Sequence, residues 1–289
     1  MTEPKNDDVV REAVRDRYAE IARTGSPCCC GPTCCDPSSA AGDTTVSLAR
    51  KAGHDESLKV GYTEEDLATA PEAANLGLGC GNPQAIAELK AGEVVVDLGA
   101  GAGFDCFLAA RAVGPAGLVI GVDMTSEMVA KAREIAREAG YENVHFRLGE
   151  IEHLPVADQT ADVVISNCVI NLSPDKPAVY GEAFRVLKPG GRLAVSDVVA
   201  TGGLPPEWRD DMRLLSACIS GASTVSETEE MLREAGFVEI SIRPKDQSRE
   251  FIREWEPGRR LEDFVLSASI CAKKPCRGSD VLAEETRCL

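Results

Sequence analysis

The chain has 289 residues, 44% of them hydrophobic and 27% charged, which suits one large globular core with appendages. Its net charge of −16 excludes a partner bound mainly through phosphate backbone or anionic lipid, because both need a basic surface. No run approaches the ~20 apolar residues of a membrane span, and the amino terminus MTEPKNDDVV lacks the apolar core of a signal peptide.

A cytoplasmic location is expected from these features. Twelve cysteines in a reducing compartment point to metal, metalloid or redox chemistry rather than to a disulfide framework.

Residues 7–23 pattern as an amphipathic helix with Val10, Val14, Tyr18 and Ile21 along one face. SPCCCGPTCCDPSSAAGD follows and reads as a flexible loop. In NLGLGCGNP, Asn82 and Pro83 make a good N-cap and first turn, so a short helix is predicted there. From Glu93 the pattern becomes strand–helix alternation, with strands EVVVDLG, LVIGVD, VHFRLG, DVVISN and GRLAVSDV. A helix is predicted from Ser126 to just before Gly140. This alternation implies a doubly wound α/β sheet.

Beyond Val199, residues 206–220 read as helical and Ser226-Glu227-Thr228-Glu229 as a capping box. FVEISI and FVLSASICAKK read as strands, the second closing a small sheet, and a disordered tail is expected from about Pro275. The expected organisation is therefore residues 1–60, a helix and Cys-rich segment, then 61–200, a nucleotide-binding core. Residues 201–274 form a smaller α+β substrate-binding region and 275–289 a tail.

The glycines of Asp97-Leu98-Gly99-Ala100-Gly101-Ala102-Gly103 follow a buried strand and let the backbone approach a ligand closely. Asp123 ends the next strand, where a carboxylate accepts both ribose hydroxyls and repels a 2′-phosphate. With the turn Val186-Leu187-Lys188-Pro189-Gly190-Gly191-Arg192, residues 93–200 resemble the S-adenosylmethionine-dependent methyltransferases of the seven-stranded Rossmann-like class. The resemblance implies S-adenosylmethionine as cofactor. It would be bound at Asp97, Gly99, Ala100 and Gly101, at Asp123 and Met124, and at Glu150, Ile151, Glu152 and Asn167.

Three cysteines lie in separated motifs around this signature. Cys168 in SNCVINL follows the fourth strand, at the sheet end where open α/β folds bind ligands. Cys218 lies in CISGA, and Cys80 lies between glycines in LGCGNP. Together with DLGAGAGFDCF, GVDMT, SNCVINLSPDK and EAFRVLKPGG, these segments resemble the arsenite S-adenosylmethionine methyltransferases over about residues 60–274.

The resemblance implies trivalent arsenic held by Cys80, Cys168 and Cys218, and methylation of arsenite and then methylarsenite for detoxification. It also implies an amino-terminal cysteine, Cys29 or a neighbour in Cys28–Cys35, relaying electrons with Cys80, and thioredoxin or glutathione as reductant. Soft arsenic prefers thiolates, and its lone pair carries no proton, so no general base is required. His54, His145 and His153 accordingly read as surface or packing residues, Cys106 and Cys271 as buried and inert, and Cys276 and Cys288 as spare thiols.

Two other readings stay open at this point: methylation of a small organic molecule at carbon or oxygen, and a non-enzymatic arsenite binder. A nucleic-acid or membrane partner is not expected, and a monomer is the default.

Overall fold

The computed structural model describes residues 7–25, 53–208, 211–256 and 258–276. The Cys28–Cys35 cluster, with the candidate relay Cys29, lies outside them, as does residue 277 onward of the expected tail.

Helix α1 (Asp7–Thr24) is followed by helical residues 53–59 (α2) and α3 (Glu64–Thr69). A short α4 (Gln84–Ala87) leads into β1 (Val94–Leu98), α5 (Phe104–Val113), β2 (Leu118–Asp123) and α6 (Ser126–Glu138). Then come β3 (Val144–Leu148), β4 (Ala161–Asn167), α7 (Lys176–Val186) and β5 (Leu187–Ala200). The chain continues through α8 (Met212–Ser216), α9 (Val225–Glu234), β6 (Val238–Pro244), α10 (Arg249–Trp255) and β7 (Val265–Lys273).

One seven-stranded sheet runs in the order β3-β2-β1-β4-β5-β7-β6. Strands β1 to β5 pair in parallel, and β7 runs antiparallel between β5 and β6. The apolar runs of β1, β2, β4 and β5 are buried on both faces, whereas the edge strand β3 exposes His145 and Leu148. Val95, Val163 and Ile165 pack under α5 and α6, whereas Val96, Val164 and Leu193 pack under α7. The order reverses at β1 and β4, so the ends of these strands border the crevice where such folds bind ligands.

Several local expectations shift. FVEISI and FVLSASICAKK build no separate small sheet; as β6 and β7 they complete the main one, β7 registering with β5 along its whole length. The predicted helix over 206–220 reduces to a 3-10 turn at Pro206–Trp208 and α8. The capping box of α9 is Thr224 with Glu227, two residues before the predicted one: Thr224 Oγ1 accepts from Glu227 N, and the Glu227 carboxylate accepts from Thr224 N. Helix α4 starts at Gln84, one residue later than predicted, with Pro83 rather than Asn82 in the cap position, while Asn82 Oδ1 accepts from Ala85 N at 3.3 Å. Cys271 is partly exposed rather than buried, and Cys276 is disulfide-bonded rather than a spare thiol. Among the described residues, no helix is long and apolar enough to cross a membrane.

Candidate active site

The cofactor half of the site lies at the ends of β1 and β2. Gly99 and Gly101 take φ values of 67° and 53°, which disfavour L side chains. A Cβ on Gly99 would overlap Val169, the neighbour of Cys168, so the loop abuts the thiol segment directly. Above Gly101 the space is open to 4 Å, as a ligand-cradling loop requires. Asp123 secures the loop: its Oδ2 accepts from Gly101 N at 2.9 Å and its Oδ1 from Thr125 N at 2.8 Å. Backbone cradle, open space and a carboxylate at the second strand's end fit S-adenosylmethionine.

Asp97 is turned the other way. Its buried carboxyl accepts from Cys106 Sγ at 3.2 Å, beneath α5, and burial raises it well above the usual carboxylate range. Met124 borders the cluster that contains the thiols, and Ile151 is buried in the core beneath the sheet's other face. Glu152 is 5% exposed, with its Oε1 accepting from Ser173 Oγ at 2.6 Å.

The thiol half is assembled by three chain segments. Cys80 is 1% exposed and anchored on both sides: its N–H donates to Asn167 Oδ1 at 3.1 Å, and its carbonyl accepts from Ser267 Oγ at 2.6 Å. Its neighbour must be glycine, because Gly79 has φ 132° and a Cβ there would sit 2.8 Å from the Asn167 amide. Asn167 spends its amide within the protein, donating to Tyr62 Oη, Gly81 O and Asp105 Oδ2 at 2.9, 2.8 and 3.2 Å. It thus holds the Cys80 loop against the end of β4.

Cys168 follows directly, with φ 56° and its N–H donating to Ser196 O at 2.8 Å. Cys218 closes the set from the turn after α8, with φ 61°, its Sγ donating to Cys168 O at 2.7 Å. Lys176 fixes that turn from the start of α7, donating to Gly221 O and, at 2.6 Å, to Ser223 Oγ. All three cysteines join one apolar cluster with Val14 and Tyr18 of α1, beside Leu172 and Ile219.

The environment favours neutral thiols. Burial pushes Cys80 up to about 11. Cys218 is raised well above the usual range by donating toward Cys168 and by burial. For Cys168 the hydrogen bond from Cys218 favours the thiolate, but its own donation toward Cys80, burial and the Asp197 charge outweigh it. A soft centre that replaces three protons suits such a site better than a free thiolate does.

Two participants escaped the sequence reading. Asp197 on β5 is 3% exposed, and one carboxylate oxygen lies within 4.8 Å of the Cys80 and Cys168 sulfurs. A lone acid inside the apolar run LAVSDVVA was the available signal, since buried carboxylates need a reason. The other is α1, whose Arg11 lies 3.5 Å from Glu152 and 3.7 Å from Glu150, with Arg15 3.3 Å from Glu150. The helix therefore spans both halves of the site, with Tyr18 partly buried near Cys168, Cys218 and Asp123.

A parallel sheet with an antiparallel penultimate-position strand, a glycine cradle and a carboxylate at the end of the second strand defines a Rossmann-like S-adenosylmethionine-dependent methyltransferase. A family model described as a methyltransferase domain matches residues 89–236. The chain belongs more narrowly to the arsenite methyltransferase family. It is 49% identical over 284 residues to the arsenite methyltransferase of Halobacterium salinarum, covering 96% of this chain and 70% of that protein. The human arsenite methyltransferase is 41% identical over 152 residues, covering 50% of this chain and 40% of that one. The crystal structure of an arsenic(III) S-adenosylmethionine methyltransferase from Chlamydomonas reinhardtii superposes with a TM-score of 0.58. That match has 33% identity and covers 78% of this chain and 74% of that one.

Proposed function

We propose that this chain methylates trivalent arsenic, arsenite first and then methylarsenite, holding arsenite on Cys80, Cys168 and Cys218 and methylarsenite, which has two exchangeable hydroxyls, on two of them. The observation that carries the reading is the convergence of three thiols from three segments beside the glycine cradle. Each thiol exchanges its proton for arsenic: an As–O bond breaks, an As–S bond forms, and the hydroxide leaves as water with the thiol proton. Arsenic held by three sulfurs keeps its lone pair on the face opposite them.

S-adenosylmethionine, when bound, supplies a methyl group on a sulfonium centre. Gly99, Ala100 and Gly101 would hold its methionine part, Asp123 with Met124 its ribose, and Glu150, Ile151 and Glu152 would border its adenine. Asn167 acts as a positioning residue for Cys80. The catalytic contribution of these groups is orientation and exclusion of water, to which Val14 and Tyr18 of α1 contribute by covering the thiols.

Methylation takes arsenic formally to the pentavalent state. An amino-terminal thiol such as Cys29 would return it by attacking the arsenic-bound Cys80 sulfur. An S–S bond forms, the S–H proton passes to solvent, and the As–S bond breaks with its electron pair left on arsenic. Thioredoxin or glutathione then reduces that disulfide.

The test is transfer of labelled methyl from S-adenosylmethionine to arsenite under thiol reductant, in wild type and Cys168→Ser. Labelled methylarsenic that disappears in the variant is the expected result. No transfer by a folded protein that retains the cofactor would overturn the reading and turn attention to organic acceptors.

A further inference from the structure

The tightest group of ligating atoms in the thiol pocket is not three sulfurs. Among the described residues, Cys80, Cys168 and Asp197 place two sulfurs and a carboxylate oxygen all within 4.8 Å of one another. Trivalent arsenic bound by three thiols has no use for that oxygen. A divalent cation does: tetrahedral zinc takes mixed sulfur and oxygen ligands at about 2.3 and 2.0 Å, which sets ligand–ligand edges of about 3.5–3.8 Å. The group needs to contract by at most about 1.0–1.3 Å to reach those edges.

Asp197 is held as a metal-binding carboxylate is held. Its Oδ1 accepts from Asn171 Nδ2 at 2.9 Å and Val198 N at 2.7 Å, Oδ2 accepts from Ile170 N at 3.0 Å, and the Asn171 backbone N–H also faces the carboxylate. The orientation of the carboxylate is thus fixed by partners outside the ligand set. Cys218 stands beside Cys168 but outside this group, and the partial exposure of Cys168 gives a way in.

The geometry points to a second ligand for this pocket: a thiophilic divalent cation of the zinc and cadmium class, bound by Cys80, Cys168 and Asp197, whose occupancy excludes arsenite. Two thiol protons pass to solvent as two metal–sulfur bonds form, and no electrons move. Asp197 separates the two ligands, since the cation uses it and arsenic does not. Only the exclusion of arsenite rests on the function proposed above; the cation site stands on its own donors.

The experiment uses the full chain, reduced and stripped of metal, with Cys28, Cys29, Cys30, Cys34 and Cys35 replaced by serine so that they add no equivalents. Zinc is titrated against a chromophoric chelator, and thiol protection from alkylation is mapped by mass spectrometry. One equivalent is expected, protecting Cys80 and Cys168, lost in Cys168→Ser and weakened at least about tenfold in Asp197→Asn. Asp197→Asn should still bind labelled S-adenosylmethionine, which reports its fold, and Asp197→Glu should recover zinc affinity. No zinc equivalent, or unchanged affinity in Asp197→Asn, overturns the site. Should Asp197→Asn fail to fold, zinc protection of Cys80 in wild type and its absence in Cys168→Ser decide instead. Zinc bound without arsenite binding would leave the site standing while the arsenic reading falls.

Discussion

The Cys218 thiol donates to the carbonyl oxygen of Cys168 at 2.7 Å, and both residues hold left-handed backbone, with φ 61° and 56°. Two loops 50 positions apart in the chain thus meet at their strained points. A left-handed non-glycine residue costs roughly 1–2 kcal/mol, so packing must hold both in place. The Cys168 N–H on Ser196 O and the Lys176 contacts to the Cys218 turn supply that hold.

Cys218→Gly should therefore be more stable than Cys218→Ala by up to about 1 kcal/mol, because relief of the left-handed strain outweighs the entropy glycine adds to the unfolded chain. Urea unfolding of the two variants measures the difference. Both should lose arsenite binding. An alanine variant more stable than the glycine one would mean that strain is not stored at this turn.

Asn167→Ala should separate the two halves of the site. It strips the acceptor from the buried Cys80 N–H and the donors from Gly81 O and Asp105, at a cost of about 1–3 kcal/mol. The glycine cradle and Asp123 are untouched by these contacts. Calorimetric titration should show cofactor affinity held while arsenite affinity falls, and equal losses in both would contradict a positioning role.

What sequence could and could not reveal follows from the range of each interaction. The strands, the glycine loop and Asp123 are written in contiguous residues, and the cysteine motifs resemble a family whose site they mark. Partners that meet only through the fold left weaker traces. Asn167 looks like a residue at the cofactor edge, yet its contacts are to Tyr62, Gly81 and Asp105, up to 105 positions away. Likewise the cap of α9 shifted because Thr224 and Ser226 both precede suitable acids, and propensity does not choose between them. The 206–220 segment reads as helical by composition but breaks to bring Cys218 back toward Cys168.

Asp197 makes folding stability depend on pH. Burial raises its carboxyl from 3.8 to about 6, so the proton favours the folded state. The stabilisation is complete below about pH 4 and lost as pH rises through 6, a change of about 3 kcal/mol. Asp197→Asn carries no such titration. Between pH 4 and 7 its stability should improve relative to wild type by up to about that amount, read from urea unfolding at each pH. Parallel curves would show that the carboxyl titrates normally.

Helix α1 should gate access to the thiols through unequal charge contacts. Glu152 is 5% exposed, so Arg11→Met leaves its carboxylate facing chiefly the Ser173 hydroxyl, at a cost of about 1–3 kcal/mol. Arg15 and Glu150 are 44% and 35% exposed, and such a pair contributes about 0.2–1 kcal/mol. If α1 must lift before Cys80 and Cys218 can react, their alkylation rates follow the population of the lifted state. Arg11→Met should then speed alkylation by roughly tenfold or more, and Arg15→Met by a factor of a few. Added salt should speed the wild type slightly, since screening acts mainly on the exposed pair. Equal rates in wild type and Arg11→Met would mean that reagent reaches the thiols without displacing the helix.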